Sequence, residues 1–293
     1  MEKNKKTKTT FELKRLPKNA FEILANIPWD EISAIREKVI DEVGKSIEIK
    51  GFRKGNAPKN MVVETIGAKK LLELVLENLV PDLFRKAISE LNLRPIVTPK
   101  TELVSAKENE DWQLKFTSCE EPEINLGNYK EELAKLKTPQ IWTPGKGEKE
   151  KKPEKTEEKE EKIDKAITYL SEKIKIEICD LLIEEEVGRR LSNLLEQTQK
   201  LGITIDQYLS SIGKTVAQIK AEYHSSAEKN LAFEFILNKI ADLEKIEVKP
   251  EEIDKLIETA QNEDDRKSLE SQKYLLASLL RRQKTLDFLA NLV

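Results

Sequence analysis

The sequence predicts an α+β N-terminal domain, an antiparallel sheet with helices on one face, followed by an all-α C-terminal domain. Three observations carry this. Period-two apolar alternation recurs within the first 121 residues, helical spacing dominates after residue 162, and a segment of nearly pure charge separates the two.

Composition agrees. At roughly 150 residues per domain, 293 residues suggest about two domains. Charged residues make up 36%, apolar 38% and aromatic 5%, with only 10 Gly and 11 Pro. Such a chain favours long amphipathic helices with much exposed surface, and it lacks the turn residues and aromatics of a compact all-β protein.

The N-terminal elements follow in order. Phe11 and Leu13 alternate with polar residues, as do Phe21, Ile23, Ala25 and Ile27, and Leu16-Pro17-Lys18-Asn19 can turn a hairpin between them. Ile32, Ile35, Val39, Ile40 and Val43 recur at helical spacing, with Pro28 and Asp30 as start signals. Pro58 opens a short helix that Gly67 closes. Residues 68–92 are apolar at helical spacing, and Pro81 should kink or split that helix. Segments 95–104 and 112–121 read as two further strands.

The separator is KGEKEKKPEKTEEKEEK (146–162), fourteen of whose 17 residues are Lys or Glu. It has no apolar side chain to bury, so it reads as a semi-flexible tether, with a lone Glu–Lys-paired helix as the alternative. The expected domains are 1–136 and 163–293, joined by a charged linker at 137–162. Beyond it, Asp180 caps a helix to about Leu201, and a short helix follows Thr204 to Gly213. Thr215 caps a long helix to about Lys245, Pro250 opens another over 251–262, and a last helix fills 266–291. Ile174, Ile176 and Ile178 form a short strand or an extended connection.

Several function classes are disfavoured. Two cysteines, Cys119 and Cys179, and one histidine, His224, are too few for a Cys/His zinc site, so no metal and no cofactor is expected. His224 lies in a helical stretch with no GxSxG-type turn nearby, and a solvent-facing position accounts for it. There is no GxxxxGK[ST] nucleotide loop, no signal-peptide apolar region and no 18-residue apolar run, so a soluble cytoplasmic protein with reduced thiols is expected. Net charge is −3, yet the first 60 residues carry 14 basic against 9 acidic side chains. A local basic surface therefore remains open to an anionic partner.

One segment stands out. Residues 50–59 read Lys-Gly-Phe-Arg-Lys-Gly-Asn-Ala-Pro-Lys. Gly51 and Gly55 bracket Phe52, Arg53 and Lys54 and permit a tight bend that pushes all three outward. An exposed Phe is an apolar wedge, and Arg and Lys donate to phosphate or carboxylate. This is a docking loop for an anionic or mixed surface, with RNA plus protein a natural target. The alternative is a surface loop whose Phe52 folds back on the core.

The run GFRKGNAPKNMVVETIG (51–67), within Ile32 to Gly67, resembles the N-terminal domain of trigger factor, the bacterial ribosome-associated chaperone family. CEEPEINLGNYK (119–130), DLLIEEEVGRRLSNLLEQTQKLGITIDQYLSSIGKT (180–215), KIEVKPEEIDKLIE (245–258) and LLRRQKTLDFLANLV (279–293) are similar to the family's later segments, in the family's order. The resemblance implies an ATP-independent chaperone that docks at the polypeptide exit tunnel and shelters nascent chains during folding and export. By direct match, Gly51, Phe52, Arg53, Lys54 and Gly55 would be its ribosome-binding residues. The implied partners are an exit-tunnel ribosomal protein, rRNA and unfolded nascent polypeptides, with a weak homodimer and no membrane. Residues 1–136 would be the ribosome-binding domain and 163–293 a helical chaperone domain with two arms. Leu181, Leu182, Leu209, Ile212, Phe233 and Phe235 are candidates for client contacts, although apolar residues at helical spacing are more often core. The family usually carries an FKBP-like prolyl isomerase domain between these parts. Here about 30 mostly charged residues stand in its place, fewer than the roughly 50 a domain needs, and Trp142 is the one aromatic residue in 131–165. No isomerase activity is expected. A free cytosolic holdase and an RNA-binding protein using the basic N-terminal region are the competing readings.

Overall fold

The computed structural model describes residues 8–50, 52–136, 154–259 and 262–293. The chain forms two compact units that divide at Glu121/Pro122.

The first unit runs β1 (Thr10–Arg15), β2 (Ala20–Ile27), α1 (Trp29–Ser46), α2 (Lys59–Ile66), α3 (Ala68–Glu90), β3 (Lys100–Ser105) and β4 (Trp112–Cys119). Its sheet is antiparallel throughout, in the order β1-β2-β4-β3. Register follows from the alternation: Phe21, Ile23, Ala25 and Ile27 are all fully buried, and Ile23 and Ala25 stand opposite Phe116 and Leu114. The β1–β2 turn places Lys18 and Asn19 at φ 59° and 54°, the left-handed conformation of a tight hairpin. The buried face receives Ile32, Val39 and Ile40 of α1, Val62 of α2, and Leu71, Val75, Leu79, Leu83 and Ala87 of α3 in one continuous core. Phe84 and Phe116 meet with ring centroids 5.5 Å apart at 50°. The opposite face is polar, and Lys115 bridges strands by pairing with Glu22 (3.9 Å) and Glu102 (2.6 Å).

Two expectations change here. α3 runs unbroken through Pro81, because Leu79 and Leu83 are both buried and packing on either side holds the helix together where one hydrogen bond is lost. Residues 95–99 are not strand, and β3 begins at Lys100. Pro95 and Pro99 lack the N–H a ladder needs. The stretch is tied to β4 instead, with the Ile96 N–H donating to Cys119 O (3.0 Å) and Ser118 Oγ donating to Val97 O (2.9 Å).

The second unit is helical: α4 (Tyr129–Lys135), α5 (Glu154–Lys173), α6 (Asp180–Lys200), α7 (Ile205–Ser211), α8 (Val216–Leu243), α9 (Pro250–Glu258), α10 (Glu263–Ser271) and α11 (Lys273–Leu292). Thr204 and Thr215 each form a full capping box, with Gln207 and Gln218 three residues on. Asp180 sits in the first turn of α6, and Cys179 holds the cap position. The last helix is two: Gln272 breaks α10 from α11, and α10 buries none of its residues, so no packing carries it through the break. Residues 174–179 are an extended connection, with Ile174 and Ile178 buried.

The boundary lies earlier than residue 136. Tyr129 and Leu133 are buried with Leu170, Leu237 and Leu289 of the second unit, with Ile124 and Leu126 against them. Tyr129 Oη donates to Glu244 Oε1 at 2.8 Å, and Lys130 Nζ lies 2.7 Å from the same carboxylate. The Lys130 hydrogen bond, aided by Tyr129 and opposed by burial, holds the Glu244 carboxyl below its ordinary range. The charged segment is helical from Glu154 onward, as the start of α5. Ala166 and Leu170 anchor that helix in the core, and Lys159 pairs with Asp287 of α11 at 2.8 Å. Residues 137–153 lie outside those described.

Candidate docking loop and exposed apolar surfaces

The loop between α1 and α2 spans residues 47–58 and is held at both ends. On one side Ile49 is buried in the core of the first unit. On the other, Pro58 starts α2, whose Val62 packs 3.5 Å from where a Cβ on Gly44 of α1 would stand. Close helix contact therefore sets the two roots of the loop. Two turns then reverse the chain: the Phe52 N–H donates to Ile49 O and the Asn56 N–H donates to Arg53 O, both at 3.0 Å. Gly55 adopts φ 84°, a backbone that side-chain-bearing residues rarely take, and nothing stands within 4 Å of a Cβ there. The glycine serves the turn rather than a close approach.

Phe52 does not fold back. It is 43% exposed, beside exposed Arg53, Lys54 and Gly55. Gly51 lies outside the described residues. Lys54 Nζ lies 2.8 Å from Glu48 Oε1, and Lys59 Nζ lies 2.9 Å from Asp41 Oδ1. The hydrogen bond to Asp41 raises the Lys59 ammonium above its ordinary value. Glu48, Ile49, Lys50, Phe52, Arg53 and Lys54 line an open hollow. Chemically this is an apolar wedge flanked by cations, able to enter a shallow crevice while pairing with oxyanions at its rim.

The second unit exposes apolar side chains in two groups, besides Leu136 and Leu243 (58%), which stand apart from them. Leu195, Leu201, Ile212 and Val216 lie along α6, α7 and the start of α8, with Leu201 at 73%. Leu256, Tyr274, Leu275 and Leu279 lie on α9 and α11, with Tyr274 at 92%. Of the six client-contact candidates taken from the sequence, Ile212 alone is exposed. Leu209 is buried, Leu182 and Phe235 pack on one core cluster, Phe233 packs on another, and Leu181 is half-buried. Three of the others stand at helix ends, where spacing does not mark them, while Leu195 and Leu279 lie well inside α6 and α11 and are exposed there. Leu201 directly precedes Gly202, Val216 follows its cap, and Tyr274 follows the break at Gln272. For those three, the place at a helix end is the signal.

His224 is exposed on α8, and each cysteine is buried in its own unit. Among the described residues, no cluster of three or more His, Cys, Asp or Glu could hold a metal ion, and no helix is long and apolar enough to cross a membrane.

Comparison with known proteins gives consistent results. The family model described as bacterial trigger factor protein matches residues 9–168, and the one described as its C-terminus matches 146–291. The trigger factor of Streptococcus agalactiae serotype Ia is 32% identical over 123 residues, 42% of this chain and 28% of that protein. That of Pelotomaculum thermopropionicum is 31% identical over 117 residues, 40% of this chain and 27% of that protein. The matched part thus spans little more than a quarter of these relatives' length. A solved structure described as "Promiscuous Substrate Recognition in Folding and Assembly Activities of the Trigger Factor Chaperone" superposes with a TM-score of 0.65 at 15% identity, covering 96% of this chain and 99% of that one. At that identity the likeness is one of fold. The first of the two family models alone covers more than half of the chain, and this chain belongs to the trigger factor family.

Proposed function

We propose that this protein is an ATP-independent molecular chaperone of the cytoplasm that docks at the ribosomal exit tunnel and shelters nascent chains. The observation that carries the docking half is the projecting Phe52, flanked by Arg53 and Lys54 and held between a buried Ile49 and the start of α2. Phe52 enters an apolar crevice of a ribosomal protein, and the cations meet carboxylate or rRNA phosphate. The exposed apolar residues of the second unit supply weak, distributed contacts for unfolded chains, which have no fixed shape for a deep pocket to recognise. Two separated groups of such residues support a cradle rather than a single site.

The reading includes no prolyl isomerase activity. The two matched family regions overlap at 146–168, so no unmatched stretch of domain size lies between them. A tetrapeptide isomerisation assay should show no acceleration over the uncatalysed rate, and clear catalysis at micromolar protein would overturn this part.

The docking test is ribosome co-sedimentation at moderate salt, comparing the native chain with Phe52→Ala/Arg53→Ala/Lys54→Ala. The native chain should pellet with ribosomes and the triple variant should remain in the supernatant. If neither pellets, the protein is a free holdase. If both pellet equally, charge on the N-terminal region is binding RNA without the loop.

A further inference from the structure

Four cations stand on the loop and the first turn of α2: Lys50, Arg53, Lys54 and Lys59. They are not equivalent. Lys54 is matched to Glu48 at 2.8 Å and Lys59 to Asp41 at 2.9 Å. Among the described residues, no carboxylate lies within 4.0 Å of Arg53 or Lys50.

We propose that Glu48 is an internal counter-anion that holds Lys54 at the root of the loop and competes with the docking partner for it, so that Arg53, with Lys50, carries the larger share of the pairing with the partner's oxyanions. This rests on the ribosome-docking reading and makes Glu48 a positioning residue for it. Glu48 immediately precedes Ile49, whose buried side chain fixes where the loop leaves the core. The turns closed by the Phe52 and Asn56 N–H groups bring Lys54 back to that root. The pair therefore closes across the neck of the loop and leaves the tip to Phe52 and Arg53.

The chemistry suits the division. A guanidinium presents a planar fork to carboxylate or phosphate, so Arg53 gains most from being uncommitted. Glu48 and Lys54 are both well exposed, at 78% and 58%, so water screens the pair and it exchanges readily. It acts as a bias on docking rather than a lock. Removing the carboxylate frees one more cation for the partner.

The test measures binding to purified ribosomes across a salt series for the native chain, Glu48→Gln, Lys54→Met, Arg53→Ala and the double variant Glu48→Gln/Lys54→Met. Glu48→Gln should bind about 2–5-fold more tightly at low salt, the scale of one exposed ion pair. Its dependence of log affinity on log salt should steepen by roughly one unit. That gain should vanish in the Lys54→Met background, and Arg53→Ala should cost more than Lys54→Met. Unchanged or weakened binding by Glu48→Gln would overturn the proposal, as would a gain that persists without Lys54, or equal losses at Arg53 and Lys54. A second readout needs no ribosome: amide exchange at Phe52 and Asn56 should quicken in Glu48→Gln as the neck loosens. If the native chain does not bind ribosomes, the docking reading fails, and unchanged exchange at those two amides would separately remove the pairing role of Glu48.

Discussion

The two units solve the burial problem differently. The first wraps three helices over one sheet face, and its apolar residues form a single continuous cluster from Phe21 to Phe116. The second strings smaller clusters along long helices, joined only by shared partly buried side chains such as Ile176, Leu191 and Tyr223. One joins Tyr129, Leu170, Leu237 and Leu289, another joins Ile178, Ile183, Val187 and Ala227, and a small one joins Leu194, Leu209 and Ile219. A sheet stacks many side chains on one plane, whereas a helical hairpin buries only the stripe between its helices. The first unit therefore buries most of its large apolar residues, leaving Leu13, Leu103 and Val104 exposed on its edge strands and Phe52 on a loop. The second leaves apolar side chains exposed along helices whose own cores are small. That contrast suits the proposed division, with a single docking loop on the first unit and dispersed contacts on the second.

The strongest way to break the comparison is through the cores. Phe116→Ala should cost the first unit about 3–5 kcal/mol and lower its melting as one cooperative transition, because its cluster is continuous. Leu209→Ala should cost about 2–5 kcal/mol but act locally. Hydrogen exchange should rise in α7 and the adjoining ends of α6 and α8, while amides around Leu237 and Leu289 stay protected. Uniform loss of protection across the second unit would show that its clusters are coupled after all.

Gly55→Ala sharpens the docking side. No atom opposes its Cβ, so the cost is that of left-handed backbone alone, about 1–2 kcal/mol. Part of that cost should appear as weaker ribosome co-sedimentation.

Acid titration can probe each unit through one of its depressed carboxylates, which are Glu102 and Glu120 in the first unit and Glu186, Glu244 and Glu252 in the second. Glu120 is opposed by burial, yet Arg15 and the Arg94 N–H outweigh that and hold it below its ordinary value of 4.5. Glu244 is depressed chiefly by Lys130. A depressed carboxyl contributes stability above about pH 4.5 and loses it as pH falls through the lowered value. Glu120→Gln should flatten the acid sensitivity of the first unit's melting below pH 4.5, and Glu244→Gln that of the second. Identical acid profiles for native and variant chains would refute the assignment.

The smallest expected change in stability is at the residue proposed to anchor docking. Phe52→Ala should alter melting by no more than about 0.5 kcal/mol while reducing ribosome pelleting. A large melting shift would mean that Phe52 belongs to the core in solution.

Much of the fold was legible because its signals are local. The alternation at Phe21–Ile27, the Pro58 and Gly67 boundaries of α2, and the Thr204 and Thr215 caps each depend on residues within one turn of each other. The misses involve distant partners. Pro81 reads as a break unless the packing of Leu79 and Leu83 is known. Residues 122–136 adjoin the sheet in sequence, but their apolar side chains match the helical core. The start of α5 reads as pure tether because Ala166 and Leu170, which hold the helix, lie beyond the charge run. At the candidate site, the glycine-bracketed loop was visible as a string of residue types. Its pairing of Lys54 with Glu48 was not, since only the turns bring those side chains together.

By itself the sequence determined the order of strands and helices, the sheet face that is buried and the loop that carries Phe52. Periodicity, capping and backbone freedom act over a few residues and leave their mark in the local string. The tertiary structure decided which apolar side chains remain exposed, where one unit ends and the next begins, and which cations already have a carboxylate. Each of these depends on what arrives from elsewhere in the chain to cover or neutralise a residue, and the string near that residue does not hold it.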